Sequence, residues 1–310
     1  MTDHPSDPID LLAARLAGVP DQARLALVLE GGGMRGVISA AMAGALEDLG
    51  ATAHIDVFVG TSAGATNAAA AACGRANAMS RTYGDVFVER RFADARNLLR
   101  GRPAVNGGLV VDTAVAMLDL ERRMQDAPAT VAAVATRIED AVSVPLVDLH
   151  EPDRLAPALK ASGTLPLVGG APIPLDGGAW LDGGISEALP VRAAAALGAT
   201  HAIVLATRPE GDAPSYGPMD QLVERYLRRL SPALATAYRS RPERYLADRA
   251  ALATGHCAGL HTTVLAPAPA DPIPGRTDRS AERLHAARAA AYDRALSSLA
   301  RIGEPRTPAA

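Results

Sequence analysis

Leu25 to Ala65 reads LALVLEGGGMRGVISAAMAGALEDLGATAHIDVFVGTSAGA, and its internal rhythm sets the fold. Leu25 to Leu29 is an unbroken apolar run, which is how a strand buried on both faces of a parallel sheet reads. It passes into Glu30-Gly31-Gly32-Gly33-Met34-Arg35-Gly36. Val37, Ile38, Ala41, Met42, Ala45, Leu46 and Leu49 then fall at helical spacing, and Gly50 supplies a stop. Ile55 to Val59 repeats the buried-strand pattern and runs into Gly60-Thr61-Ser62-Ala63-Gly64. An alanine-rich helix follows, over Ala65 to Cys73. Strand, glycine turn, helix, twice within about 50 residues, predicts an α/β fold with a mainly parallel sheet.

Working outward, residues 1–24 read as a loose lead-in with one short helix around Ile9 to Ala17. Ser80 to Asp126 reads as helical, with Arg91 to Gly108 a flexible insertion rich in Arg, Gly and Asn. Thr130 to Thr136 and Val142 to Leu149 are further strands, and Pro152 to Ala161 is a helix. Leu165 to Gly178, rich in Pro and Gly, reads as loop. A helix over Val191 to Leu197 and a strand over His201 to Ala206 continue the pattern. Pro218 to Ala253 is helical, His261 to Leu265 is a last strand, and a final helix runs from Ser280 to Ile302, stopped by Gly303 and Pro305. With no linker or repeat, the expected organisation is a lead-in (1–24), a main domain (25–210) and a mainly helical extension (211–310) packed on that domain.

The 310 residues are 48% hydrophobic and 21% charged, the composition of a globular chain able to bury a sizeable core. A formal charge of −3 offers no basic field for nucleic acid, and 3% aromatics offer no base-stacking platform. Cys73 and Cys257 make neither a disulfide framework nor a four-ligand zinc site, so no metal and no cofactor are expected. The opening MTDHPSDPID is acidic and lacks the basic and apolar regions of a secretory signal. The longest uncharged run, Val57 to Gly74, is broken by Gly60, Thr61, Gly64, Thr66 and Asn67, which does not suit a membrane span. A soluble, cytoplasmic protein is the expectation.

The two glycine turns carry the chemistry. Gly31-x-Gly33-x-x-Gly36 matches a dinucleotide fingerprint, but that motif needs an acid at the far end of the second strand to hold a ribose. Asp56 stands at the near end instead, and Gly60-Thr61-Ser62 occupies the far one. Gly60-x-Ser62-x-Gly64 fits a nucleophile elbow, in which a serine sits on a tight strand-to-helix turn flanked by small residues, here Thr61 and Ala63 besides the glycines. Adjacent parallel strands would bring both turns to one sheet edge. The backbone N–H groups of Gly31, Gly32 and Gly33 could then face an oxyanion formed at Ser62. For a general base, His150, His201, His256 and His261 follow the serine; only His150, at a strand end, is suitably placed, and none sits in a recognisable motif. Two carboxylates compete with it: Asp176-Gly177-Gly178 and Asp182-Gly183-Gly184 each present an aspartate on a tight turn.

These residues resemble the patatin-like phospholipase family. The matching pieces are LVLEGGGMRG at Leu27 to Gly36, DVFVGTSAGA at Asp56 to Ala65 and WLDGGISEALPVRAAAALGATHAIVL at Trp180 to Leu205, in the family's order; DRLAPALKASGTLPLVGG at Asp153 to Gly170 is similar more weakly. The resemblance covers about Leu25 to Thr207. It implies a three-layer α/β/α sandwich and a serine acyl hydrolase with a Ser–Asp dyad. By that resemblance Ser62 is the nucleophile and Asp182, on the turn with Gly183 and Gly184, is the base; Asp176 is then a solvent-facing hairpin residue. Gly31, Gly32, Gly33 and the Met34 amide form the oxyanion hole. Arg35, beside Gly36, braces the loop or meets an anionic head group of the substrate. Burial is expected to raise the Asp182 pKa, against hydrogen bonds from its own turn.

Lipid or acyl-ester substrates follow from the resemblance, as does hydrolysis through an acyl-enzyme. A catalytically silent scaffolding protein, an acyltransferase and a thioesterase are the alternatives. The stretch Gln221 to Arg249, rich in Arg and Tyr, reads either as a basic surface for peripheral membrane contact or, preferably, as the solvated face of packed helices. Nothing in the sequence speaks to oligomeric state.

Overall fold

The computed structural model describes residues 5–94, 96 and 104–300. In chain order the elements are α1 (Pro8–Leu16), β1 (Leu25–Leu29), α2 (Val37–Asp48), β2 (Val57–Thr61), α3 (Ala63–Ala72), α4 (Ala76–Asp85), α5 (Gly107–Met117), α6 (Leu120–Gln125), β3 (Thr130–Arg137), β4 (Ser143–Leu146) and α7 (Leu155–Gly163). There follow β5 (Ile173–Leu175), β6 (Gly178–Asp182), α8 (Val191–Ala196), β7 (His201–Leu205), α9 (Pro218–Leu230), α10 (Pro232–Arg239), α11 (Arg241–Ala253), β8 (His256–Cys257), β9 (Leu260–Leu265) and α12 (Ala281–Ser298).

One sheet runs through the molecule, with β3, β2, β1, β7 and β9 side by side and parallel. The unbroken apolar run Leu25–Leu29 forms the central strand β1, buried along its whole length. Alternate residues feed two cores. Leu25, Leu27, Leu29, Phe58, Ala133 and Ile203 point to the layer of α2, α3, α4, α7 and α12. Ala26, Val28, Val59, Val134 and Val204 meet α8 and α11 on the other face. The result is the three-layer α/β/α sandwich that the resemblance implied. Residues after 210 join it directly: β9 pairs with β7, and α12 packs against α2 and α4.

The far side of the sheet positions the site. Residues Ala133 and Val134 of β3 pair with β2 and with β4, so these two lie on opposite edges of β3. Residues Ala135 and Thr136 pair with β4 and with β6, so β6 lies on the same edge as β2. The pairings Thr61 with Val134 and Ala135 with Asp182 are consecutive. Where β2 leaves the sheet at Ser62, β6 takes its place.

Two local readings change. The loop expected over Leu165 to Gly178 contains β5, which pairs with β6 across a turn at Asp176 and Gly177; three residues are too few for their period to show against the flanking Pro and Gly. The strand expected over Val142 to Leu149 is only Ser143–Leu146, an antiparallel edge strand. Part of the insertion expected over Arg91 to Gly108, residues 95 and 97–103, lies outside the described residues. Its flanks are joined by an Ala93–Val105 bridge, and Gly107 and Gly108 begin α5. Ile302 also lies outside. Among the described residues no helix is long and apolar enough to cross a membrane.

Candidate active site

Ser62 stands between the end of β2 and the start of α3, with φ 59° and ψ −129°. A side-chain-bearing residue reaches this region only when its surroundings hold it there. Two neighbours do so. Gly64 lies so close to the end of β1 that a Cβ on it would sit 2.3 Å from the Leu29 carbonyl oxygen, so only glycine lets α3 start here. The Ser62 amide donates to Ser162 Oγ at 2.9 Å, and Ser162 in turn donates to the Val134 carbonyl at 2.6 Å. Thr61 is held by a bond from its hydroxyl to the Glu187 carbonyl, 3.0 Å.

Asp182 ends β6 and is 5% exposed, so its carboxylate is withdrawn from solvent. One oxygen, Oδ1, accepts the Gly184 amide at 2.7 Å. The other, Oδ2, is buried and meets no partner in hydrogen-bonding geometry. Burial raises the Asp182 pKa; the neighbouring Ser62 hydroxyl, the Gly184 amide and the cations Arg276 and Arg241 pull the other way. The direction agrees with expectation. Ser62 is thus near enough to influence the carboxylate but is not seated on it in a full hydrogen bond.

The glycine loop faces Ser62 from β1. Gly31 packs directly on the Thr61–Ser62 backbone, and Gly32 lies against the Arg35 guanidinium. Gly33, at φ +59°, is required both by its conformation and by the Arg276 carbonyl, which a Cβ would approach to 2.4 Å. Among the described residues the amides of Gly31, Gly32 and Gly33 donate to no acceptor. The Met34 amide does not belong with them: it donates to the Arg276 carbonyl at 2.9 Å, so it is not free to meet an oxyanion. That correction depends on a segment 242 positions away, beyond the reach of a local motif.

Arg35 is 6% exposed and donates through Nε to Thr207 Oγ1 at 3.2 Å, bracing the loop against the end of β7. Its burial, with Arg208 nearby, lowers its pKa to about 10. Gly36, expected to bind substrate, is away from the cavity wall; it is wedged beneath Tyr83, and its carbonyl accepts from Asn67 Nδ2 at 2.9 Å. Asn67 Oδ1 accepts from the Tyr83 hydroxyl at 3.0 Å, which ties α3, α4 and the loop together.

Ser62, Asp182, Gly31 to Arg35 and Gly184 share the wall of one cavity of about 350 Å³. The remaining wall is mostly apolar, with Met79, Phe87, Phe92, Val110, Leu159 and Leu165. Two of the chain's three phenylalanines, Phe87 and Phe92, line this cavity. Tyr83, Phe87 and Phe92 make consecutive edge-to-face contacts at 5.6 and 5.3 Å.

The rival bases fall elsewhere. His150 lines a separate cavity with Thr130, at the start of β3 and so at the opposite end from Asp182. His201 opens β7 at that same end of the sheet. Asp176 is on the β5–β6 turn, half-exposed and paired with Arg154 at 2.8 Å, which holds its pKa down. Among the described residues no cluster of His, Cys, Asp and Glu could hold a metal ion. Sequence reasoning did not single out Ser162, Asn67, Arg208 or Arg276, and it read Arg241 only as one of the arginines of the stretch Gln221 to Arg249. Ser162 and Asn67 fall inside the quoted similar segment and the alanine-rich helix, but nothing about a lone serine or asparagine marks it in advance.

A family model of patatin-like phospholipases matches residues 27–195. Uncharacterized protein YjjU of Escherichia coli (strain K12) is 30% identical over 192 residues, 60% of this chain and 52% of that protein. The match therefore spans about half the length of the curated relative.

Proposed function

The chain belongs to the patatin-like phospholipase family, and from that premise we propose that it is a serine acyl hydrolase cleaving carboxylic esters of lipids, with Ser62 as nucleophile and Asp182 as general base. The family supports lipid acyl hydrolysis. One observation carries the finer assignment: the strained Ser62 shares a cavity wall with a buried carboxylate whose Oδ2 has no partner of its own. Such an oxygen is available to take a proton.

In this reading the ester carbonyl lies between Ser62 and the free amides of the glycine loop. Asp182 takes the hydroxyl proton as Ser62 Oγ attacks the carbonyl carbon. The charge that develops on the carbonyl oxygen meets the Gly31–Gly33 amides, and each such donor is worth about 100- to 1,000-fold in rate. The tetrahedral intermediate expels the alcohol, which leaves with the proton from Asp182. Water then attacks the acyl-enzyme with Asp182 as base again. The raised pKa makes Asp182 a better base than a free aspartate. The acyl chain lies along Met79, Phe87, Phe92 and Val110.

The lipid is reached by peripheral membrane contact through α9. Met219 and Leu222 are 65% and 51% exposed and align with Tyr226 and Leu230 along one stripe, flanked by exposed Arg225 and Arg229. The adjoining side of the helix buries Val223, a cavity-lining residue, with Glu224 and Leu227. An apolar stripe edged by cations suits an anionic bilayer. Sedimentation with anionic vesicles should be lost in Leu222→Asp, and binding unchanged by that variant would count against the contact.

The central test treats the purified protein and its Ser62→Ala variant with a fluorophosphonate and reads intact mass. One adduct on the wild type, absent from the variant, is expected. No adduct on the wild type, with or without lipid vesicles, would reject the assignment.

A further inference from the structure

Cations also line the cavity. Arg35, Arg208, Arg241, Arg276 and Arg279 all line it, and among the described residues the acids that line it are Glu30 and Asp182. Asp182 is held toward its neutral form by burial. The carboxylates that pair with two of these arginines, Asp212 with Arg208 at 2.7 Å and Asp220 with Arg241 at 3.1 Å, are not part of the wall. Both arginines keep a buried Nε with no partner. Arg241 is 7% exposed, with its guanidinium fixed over the Tyr238 ring at 4.3 Å. Arg276 is different again: it is exposed, and among the described residues its guanidinium makes no hydrogen bond and no ion pair, while its backbone carbonyl is pinned by the Met34 amide to the glycine loop. A planar fork of donors thus lines the cavity of Ser62 with no acceptor of the protein to meet it.

The Nε groups of Arg208 and Arg241 are buried with no acceptor of the protein, and a buried donor is costly to leave unpaired. Arg208, Arg241 and Arg276 also lie outside residues 27–195, so the family model does not account for them.

We propose that Arg276, with Arg208 and Arg241, forms a subsite for an oxyanion carried by the substrate next to its ester. The preferred substrate then has a net-anionic head group, such as a phosphate monoester or a carboxylate, in place of a neutral or zwitterionic one. Guanidinium groups recognise both through paired, charge-assisted hydrogen bonds. This deepens the acyl-hydrolase reading and rests on it for the position of the ester, but not for the anion site itself.

The experiment compares four esters of one acyl chain: a monoacylglycerol, its phosphate monoester, its phosphocholine diester and its hemisuccinate. Wild type is expected to favour the phosphate or hemisuccinate ester over the neutral one by about tenfold or more in kcat/KM, the value of a hydrogen-bonded charge pair. The two anionic arms separate phosphate from carboxylate. In Arg276→Gln that ratio should fall to about one, with partial recovery in Arg276→Lys. Because the Arg276 side chain is exposed and makes no hydrogen bond or ion pair among the described residues, both variants are expected to fold, and their melting temperatures check this. Equal losses on all four esters, with the acidic limb of the pH profile displaced, would overturn the proposal, since that is what an Arg276 acting only through Asp182 gives. A separate arm titrates glycerol 3-phosphate calorimetrically into Ser62→Ala with and without Arg276→Gln. Binding that requires Arg276 supports the subsite even if no ester is cleaved. No binding, together with no anionic preference, removes the subsite and leaves the hydrolase reading standing on its own labelling test.

Discussion

Replacing Ser162 by alanine tests how the elbow is held. Ser162 is fully buried, and its hydroxyl sits between the Ser62 amide at 2.9 Å and the Val134 carbonyl at 2.6 Å. Alanine removes that oxygen and changes little else. No water can reach the vacated position without a cavity larger than one lost oxygen, so the Ser62 amide is left unpaired. An orphaned buried donor costs about 1–3 kcal/mol. For a chain of this size each kcal/mol lowers the melting temperature by about 2–4 °C. The same amide belongs to the residue at φ 59°, which relaxes toward an ordinary conformation once released. A displacement of the nucleophile by a fraction of an ångström to 1 Å lowers kcat by up to about 100-fold. Ser162 is not on the cavity wall, so KM should hold. Thermal unfolding and steady-state kinetics on a soluble ester read both effects. Ser162→Ala with an unchanged melting temperature and kcat within about twofold of wild type would refute the argument, since no unpaired amide could then have been left behind. A loss of stability with kcat intact would separate the brace from the chemistry and reject the positioning role.

Asp182→Asn should lower kcat by about 100- to 10,000-fold, the usual worth of a general base, as read on the same ester. Because burial holds the folded pKa of Asp182 above its ordinary value of 3.8, the native state binds the proton more tightly than the unfolded chain. Its contribution to stability is therefore present below about pH 3.8 and is lost as pH rises through the folded value. Asp182→Asn is expected to be more stable than wild type at neutral pH and to lose that advantage in acid, which denaturant titrations at several pH values will show. The wild-type acidic limb should likewise lie above the ordinary aspartate range, and a profile flat to pH 4 would contradict it. Gly33→Ala forces a Cβ to 2.4 Å from the Arg276 carbonyl at a positive φ, and should cost about 1–3 kcal/mol and slow fluorophosphonate labelling. Phe87→Ala opens the apolar wall, so it should lower stability by about 3–5 kcal/mol and shift preference toward longer acyl chains in an ester series.

What the sequence made legible was whatever is written locally. LALVL and DVFVG are short apolar runs whose length and company leave only buried parallel strands, and the turns after them have few conformations open to them. The two strands pair in register as neighbours, which is why Ser62 and the glycine loop meet. The choice of Asp182 over Asp176 came from the surrounding motif; in structural terms it comes from burial, since one ends a strand beneath α10 and the other sits on an exposed turn with Arg154. What stayed hidden depends on distant segments. No local pattern could say that the Met34 amide is taken by Arg276, that Gly36 faces Tyr83 instead of the cavity, or that arginines at 208, 241 and 276 converge. Their neighbours in sequence look like ordinary surface helix and loop, and only the path of the chain after β7 brings them together.

The shared edge of β3 has a consequence for how this molecule can vary. Because Thr61 and Asp182 pair with consecutive residues of one strand, their spacing is fixed by a single peptide unit and not by the chain that connects them. Everything between, including α4 to α6 and the segment joining Phe92 to Val105, can lengthen, shorten or be exchanged without altering that spacing, provided β3 and α7 remain. The intervening chain is where new surface can be grafted, and β3 is the ruler against which any such graft is measured.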